Sequence, residues 1–217
     1  MRSIQLINNK FHLVGCFVSV ILMVGTTTIY AAEIAESFEL DYTSNGYHVG
    51  FGKTLDIPVC GNCPTPRTSH RFFSIFPNYQ RNLTGLVSEN TPWHGALYWH
   101  MEGGLAVITD NNDSDVNKYL INFSPLMVQY RFFDPEQNWI PKILGGVGFA
   151  LTDWTDYGGQ ALNSDFQFLV HLGVGAQVFQ DRGSYSIDYR LLHVSNAGTD
   201  NPNIGINAHL FSITFPF

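Results

Sequence analysis

From residue 46 onward the chain is organised by alternation. Eight stretches, at about 46–54, 70–79, 95–108, 118–132, 139–152, 165–179, 184–196 and 204–217, place apolar side chains at every second position, the period of a strand whose two faces meet different surroundings. The clearest is DFQFLVHLGVGAQVF. Its even positions, Phe166, Phe168, Val170, Leu172, Val174, Ala176 and Val178, form an unbroken apolar face, while Asp165, Gln167, His171, Gln177 and two glycines fall on the other. No helical period competes with this pattern. A soluble sandwich alternates in the same way, so the period predicts strands without deciding what surrounds them.

Three features predict a membrane barrel. The strand count is even, the segments have the length of tilted membrane strands, and the chain closes on FSITFPF with an aromatic last residue, which resembles the sorting signal of outer-membrane barrels. The connections at 55–69, 109–117, 153–164 and 197–203 are longer than those at 133–138 and 180–183, with 80–94 the exception. The first set is therefore expected outside the cell and the second in the periplasm. The expected fold class is all-β, an eight-stranded antiparallel transmembrane β-barrel. Gly145, Gly146 and Gly148 then read as small strand residues that ease curvature; no strand–glycine–helix context makes them a phosphate loop.

Composition agrees with a membrane setting. Only 13% of the residues are charged, against about 25% in soluble proteins, and 14% are aromatic. Arg2 and Lys10 precede an apolar run from Phe11 to Val24 and the small-residue stretch ending in IYAAE, which reads as a secretory signal peptide over 1–31, cleaved after Ala31 or Ala32. The run is short for a retained anchor. LVGC around Cys16 has most of the apolar residues on the wrong side for a lipoprotein signal. Residues 32–217 are then a single barrel domain with nine basic residues (eleven less Arg2 and Lys10) against eighteen acidic ones, a formal charge of −9. Without clustered Lys and Arg, a nucleic-acid surface is not expected. No later apolar run is long enough for a membrane helix, so the chain is expected to be integral to the membrane through its strands.

Two cysteines follow the leader, Cys60 and Cys63 in VCGNCPTP. A disulfide closing a small loop is favoured over a redox pair, which would sit between a strand and a helix, and over half of a zinc site, which would need a second ligand pair. DNNDSD from Asp110 lacks the glycine and terminal glutamate of a calcium loop and reads as a solvated external connection. His171, on the non-apolar face of its strand, reads as a lumen filler. His100 and Glu102 share a face and are assigned to an interior polar network.

The seventh segment carries the candidate chemistry. Ile187, Tyr189, Leu191, His193 and Ser195 share one face, and Asp188, Arg190, Leu192 and Val194 the other. The charged pair Asp188 and Arg190 suits a filled lumen, which turns His193 and Ser195 toward lipid near the outer edge. Asn207, His209, Phe211, Ile213, Phe215 and Phe217 share the corresponding face of the last segment. A polar cluster on a lipid-facing wall is costly unless the protein uses it. His209 either serves that cluster or sits at the lipid boundary.

The stretch His193-Val194-Ser195-Asn196-Ala197-Gly198, with Asn201-Pro202-Asn203 and Gly205 after it, resembles the C-terminal signature of the lipid A 3-O-deacylases, the PagL-type outer-membrane esterases. The resemblance is dense over about fifteen residues and implies location in the outer membrane of a Gram-negative cell. It assigns the nucleophile to Ser195, the general base to His193, and an oxyanion site to Asn196 with backbone N–H groups around Ala197 and Gly198. It also implies lipid A or lipopolysaccharide of the outer leaflet as the partner, admits a homodimer, and calls for no metal or organic cofactor.

The sequence departs from the family at one catalytic position. Characterised members carry a glutamate as the third triad residue, and Asn207 stands at the matching place here. The acid normally fixes the imidazole tautomer and stabilises the imidazolium; an amide carbonyl does the first without the charge needed for the second. Asp200, in the adjoining turn, is the alternative acid. The expected function is hydrolysis of the acyl ester at position 3 of lipid A. The competing expectations are a catalytically silent barrel of structural or adhesive role, and an esterase acting on phospholipid from the same scaffold.

Overall fold

The computed structural model describes residues 27–55, 70–110, 117–153, 156–157, 160–161, 164–180, 183–200 and 205–217. Cys60, Cys63 and residues 111–115 of the DNNDSD stretch lie outside the described residues. A helix α1 (Thr27–Ser37) precedes ten strands: β1 (Thr43–Leu55), β2 (His70–Asn82), β3 (Gly95–Asp110), β4 (Asn117–Phe132), β5 (Trp139–Thr152), the two-residue strands β6 (Asp156–Tyr157) and β7 (Gln160–Ala161), β8 (Phe166–Gln180), β9 (Gly183–Ser195) and β10 (Ile206–Pro216). The eight long strands close in the order β1-β10-β9-β8-β5-β4-β3-β2, every neighbour antiparallel, while β6 and β7 form a small hairpin of their own. Closure pairs β1 with β10 and so leaves no barrel edge, which is what a strand protein needs in a medium without water.

The alternation predicts this architecture well. On β8, Phe166, Val170, Leu172 and Val174 are exposed on the outer wall while Gln167, Leu169 and His171 are buried inside. Phe51, Phe73, Ile121, Leu151 and Phe211 continue the exposed apolar band around the barrel, far more apolar surface than a water-soluble wall carries. Phe217 stacks on Tyr47 at 4.9 Å, part of an aromatic rim at the end where β10 finishes. The glycines at 146 and 148 make room rather than curvature alone: a Cβ on Gly146 would lie 2.5 Å from Met127, and one on Gly148 2.2 Å from the Ser124 hydroxyl.

The interior is built in three tiers. At the end that carries both described termini, α1 plugs the barrel: Ile34 and Phe38 are buried against Ala96, Tyr98, Ile140 and Phe179. The Tyr98 hydroxyl donates to the Ser37 carbonyl (2.5 Å), and the Ser37 hydroxyl to the Ile34 carbonyl (2.7 Å), so the last turn of the helix is satisfied. This helix is an addition to the sequence expectation. The expected cleavage point falls inside it, and the segment has little amphipathic pattern to announce it.

The middle tier is charged. Arg190 donates to both carboxylate oxygens of Glu102 (2.9 and 2.8 Å), His100 lies 3.0 Å from the same carboxylate, and Lys142 pairs with Asp188 at 3.0 Å. Arg131 and Gln129 both donate to the Gln80 side-chain oxygen, and His171 meets Ser124 at 2.9 Å. Pairing offsets the cost of burying these ions, and the Arg190–Glu102 pair crosses the lumen from β9 to β3, which stand opposite each other in the closed order. The third tier, at the opposite end, is apolar again: Phe72, Ala106, Ile108, Leu120, Leu169, Val194, Ile206 and Ala208 form one cluster.

Candidate active site

The outer face of that apolar tier carries the polar cluster. Because β9 and β10 pair with His193 directly opposite Asn207, and Ser195 follows His193 by two residues, all three side chains emerge on the outer wall within one strand spacing. Between them Val194 points inward and is 1% exposed, with Ile206 and Ala208 packed in the same cluster, so the backbone under the site rests on a solid apolar base. Ser195 and Asn207 are each 6% exposed although they face outward.

Their geometry is a relay. Asn207 Oδ1 lies 2.7 Å from His193 Nδ1, and His193 Nε2 lies 3.1 Å from Ser195 Oγ. An amide oxygen can only accept, so Nδ1 carries the proton and donates to it. That leaves the Nε2 lone pair facing Ser195, whose hydroxyl donates to it. This is the tautomer in which the imidazole can take the serine proton.

The chain after Ser195 folds back at once. Asn196 is 2% exposed. Its Oδ1 accepts from the Gly198 N–H (2.9 Å) and its Nδ2 donates to the Asp200 carbonyl (3.1 Å); its own carbonyl accepts from the Thr199 N–H (3.1 Å) and hydroxyl (2.8 Å). Ala197 (φ 53°) and Gly198 (φ 78°) sit in the left-handed region. For alanine that conformation costs about 1–2 kcal/mol, and it is the Asn196 bonds on either side that hold it. The three residues assigned to the oxyanion site thus form one turn beside the serine, with both amide atoms of Asn196 engaged in shaping it.

The other sequence-singled residues separate cleanly. His171, His100 and Glu102 are all buried in the lumen. His209 is on the outer wall next to the cluster, edge-on to Tyr189 and Phe211 with ring centroids 6.0 and 6.2 Å away. Asp200 lies in the exposed turn, while the Nδ1 position of His193 is occupied by Asn207. Among the described residues, no group of His, Cys, Asp and Glu is arranged to hold a metal ion.

Comparison with known proteins places this geometry in context. The family model for lipid A 3-O-deacylase (PagL) matches residues 78–216, more than half of the chain. The lipid A deacylase PagL of Pseudomonas aeruginosa is 31% identical over 122 residues, which cover 56% of this chain and 61% of that protein; the one of Bordetella bronchiseptica is 29% identical over 127 residues, covering 58% and 62%. The chain therefore spans about three fifths of the length of these curated relatives. A solved structure described as the crystal structure of the outer membrane enzyme PagL matches with a TM-score of 0.56 at 22% identity, over 81% of this chain and 100% of its own, a likeness of fold.

Proposed function

The chain belongs to the lipid A 3-O-deacylase (PagL) family of outer-membrane barrels, and from that premise we propose that it hydrolyses the acyl ester at position 3 of lipid A by a Ser195–His193 mechanism. The observation that carries the proposal is the Asn207–His193–Ser195 relay on the outer wall. A soluble hydrolase would set such a relay in a cleft open to water. Here it faces the apolar band, where a substrate arrives sideways through the leaflet.

In the proposed reaction His193 Nε2 takes the proton as Ser195 Oγ attacks the ester carbonyl. The oxyanion is held by backbone N–H groups of the turn around Ala197, the Gly198 and Thr199 N–H groups being bonded to Asn196, which keeps the turn in shape. The imidazolium then protonates the leaving sugar oxygen, and an acyl-serine remains. Water activated by the same histidine releases a 3-hydroxy fatty acid. Asn207 holds the imidazole through Nδ1–H but contributes no negative charge to the imidazolium. In the serine-protease triad, acid-to-amide replacement lowers turnover about 10⁴-fold, largely by fixing the wrong tautomer. The carbonyl orientation here preserves the right one, so the expected penalty is the electrostatic part alone.

A second reading, a barrel of this family without turnover, is favoured by one observation, the missing charge at Asn207. Incubating the folded protein with purified lipid A and following the 3-hydroxyacyl group by mass spectrometry separates the two: hydrolysis that disappears in Ser195→Ala supports the esterase, and none at all supports the silent barrel.

A further inference from the structure

The outer wall carries two more charges that a lipid-facing surface would exclude unless they were used. Lys53 on β1 and Arg71 on β2 are exposed and directly opposite each other, and Lys53 is at the same time the cross-strand partner of His209 on β10. One register step toward the site end, the adjoining outward row is His193, Asn207 and Leu55. The basic row therefore runs beside the catalytic row, across the seam where the first and last strands close the barrel. With strands about 4.8 Å apart and about 3.4 Å per residue, the Lys53 and His193 Cα atoms are on the order of 12 Å apart.

Like charges placed directly opposite each other repel, so this pairing is unfavourable in the protein alone. No described acidic side chain relieves it, whereas Arg81, the outward arginine at the α1 end, is bonded to Asp41 at 2.8 Å. The row also has an apolar continuation. A groove beside it is bounded by Phe51, Phe73 and Val107, with Arg71 and Thr109 at its rim. Phe73 pairs with Val107 and Arg71 with Thr109, so the cation stands above the apolar walls. An anion above a hydrocarbon chain is the shape of a phosphorylated glycolipid.

We propose that Lys53 and Arg71, with the His209 ring as a neighbouring donor, bind a phosphate of the same lipid molecule whose ester reaches Ser195, and that the Phe51–Phe73–Val107 groove takes one of its acyl chains. The inference rests on the lipid A reading given above and adds the anchoring group. Two long cationic side chains supply charge-assisted hydrogen bonds to a phosphate at headgroup depth, and the phosphate removes their mutual repulsion. Bound there, the lipid has one orientation in which an ester on the same sugar unit lies over the relay.

The test is binding rather than turnover. In a Ser195→Ala background, which leaves bound lipid intact, the affinity of the folded barrel in detergent is measured for lipid A and for enzymatically dephosphorylated lipid A, with and without Lys53→Gln and Arg71→Gln together. The expected result is an affinity for phosphorylated lipid about tenfold weaker in the double variant, no change for the dephosphorylated lipid, and retention of tight binding in Lys53→Arg with Arg71→Lys. Equal weakening toward both lipids, or no weakening toward either, overturns the proposal. Because no step requires hydrolysis, an inactive wild-type barrel would count against the esterase reading without moving this result.

Discussion

Asn207 Oδ1 and His193 Nδ1 are 2.7 Å apart, an amide oxygen standing where a carboxylate would complete a charged triad. The contact orients the ring as a carboxylate would, because an acceptor at Nδ1 is all that tautomer selection requires. It differs in what happens after proton transfer, when the imidazolium has a dipole beside it instead of an anion.

Asn207→Asp keeps the side-chain length and adds that anion. Turnover on lipid A is expected to rise at least tenfold with KM little changed, since the charge acts only once the imidazolium forms. Asn207→Glu, the residue of the family pattern, should also raise it if the longer side chain is accommodated. Asn207→Ala is expected to lower turnover by freeing the ring. Steady-state kinetics on the three folded variants and the wild type checks this, and equal rates across all four would show that the contact has no catalytic part.

Asn196→Ala removes the two side-chain bonds that hold the turn after Ser195. Turnover should fall by about tenfold to a hundredfold, below the full loss of an oxyanion donor, with KM less affected and the barrel intact on heat-modifiability gels. An unchanged rate would mean that the turn keeps its shape without Asn196.

Glu102→Gln takes from buried Arg190 the carboxylate it holds with two hydrogen bonds and leaves it only the longer contact with Asp188, at 3.7 Å. Breaking a buried pair from one side costs about 3–5 kcal/mol, so the variant should unfold at markedly lower urea concentration than the wild type. Phe38→Ala, which empties the helix plug between Tyr98 and Phe133, is expected to cost about 3–5 kcal/mol in the same assay. Both changes are remote from the relay, and the surviving folded fraction should keep its specific activity.

The barrel strands are legible in the sequence because two-sided burial imposes a period of two, and β5, from Trp139 to Thr152, begins and ends where alternation begins and ends. His193 and Ser195 are legible for the same reason, as polar residues on an otherwise apolar parity. What alternation cannot carry is which inward residues meet. Arg190 and Glu102 are 88 positions apart and face each other only because the sheet closes. The row of His209, Lys53 and Arg71 likewise exists only across the seam between β1 and β10. Helix α1 escaped for a different reason: it is short and weakly patterned, and helical because the barrel mouth gives Ile34 and Phe38 somewhere to be buried.

The central claim, that the relay on the outer wall is a lipid esterase, is tested most directly by mass spectrometry of purified lipid A after incubation with folded wild-type protein and folded Ser195→Ala. The account predicts loss of one 3-hydroxyacyl group with release of the free fatty acid in the first sample and unchanged lipid A in the second. Identical spectra from the two proteins, whether both intact or both deacylated, would contradict it.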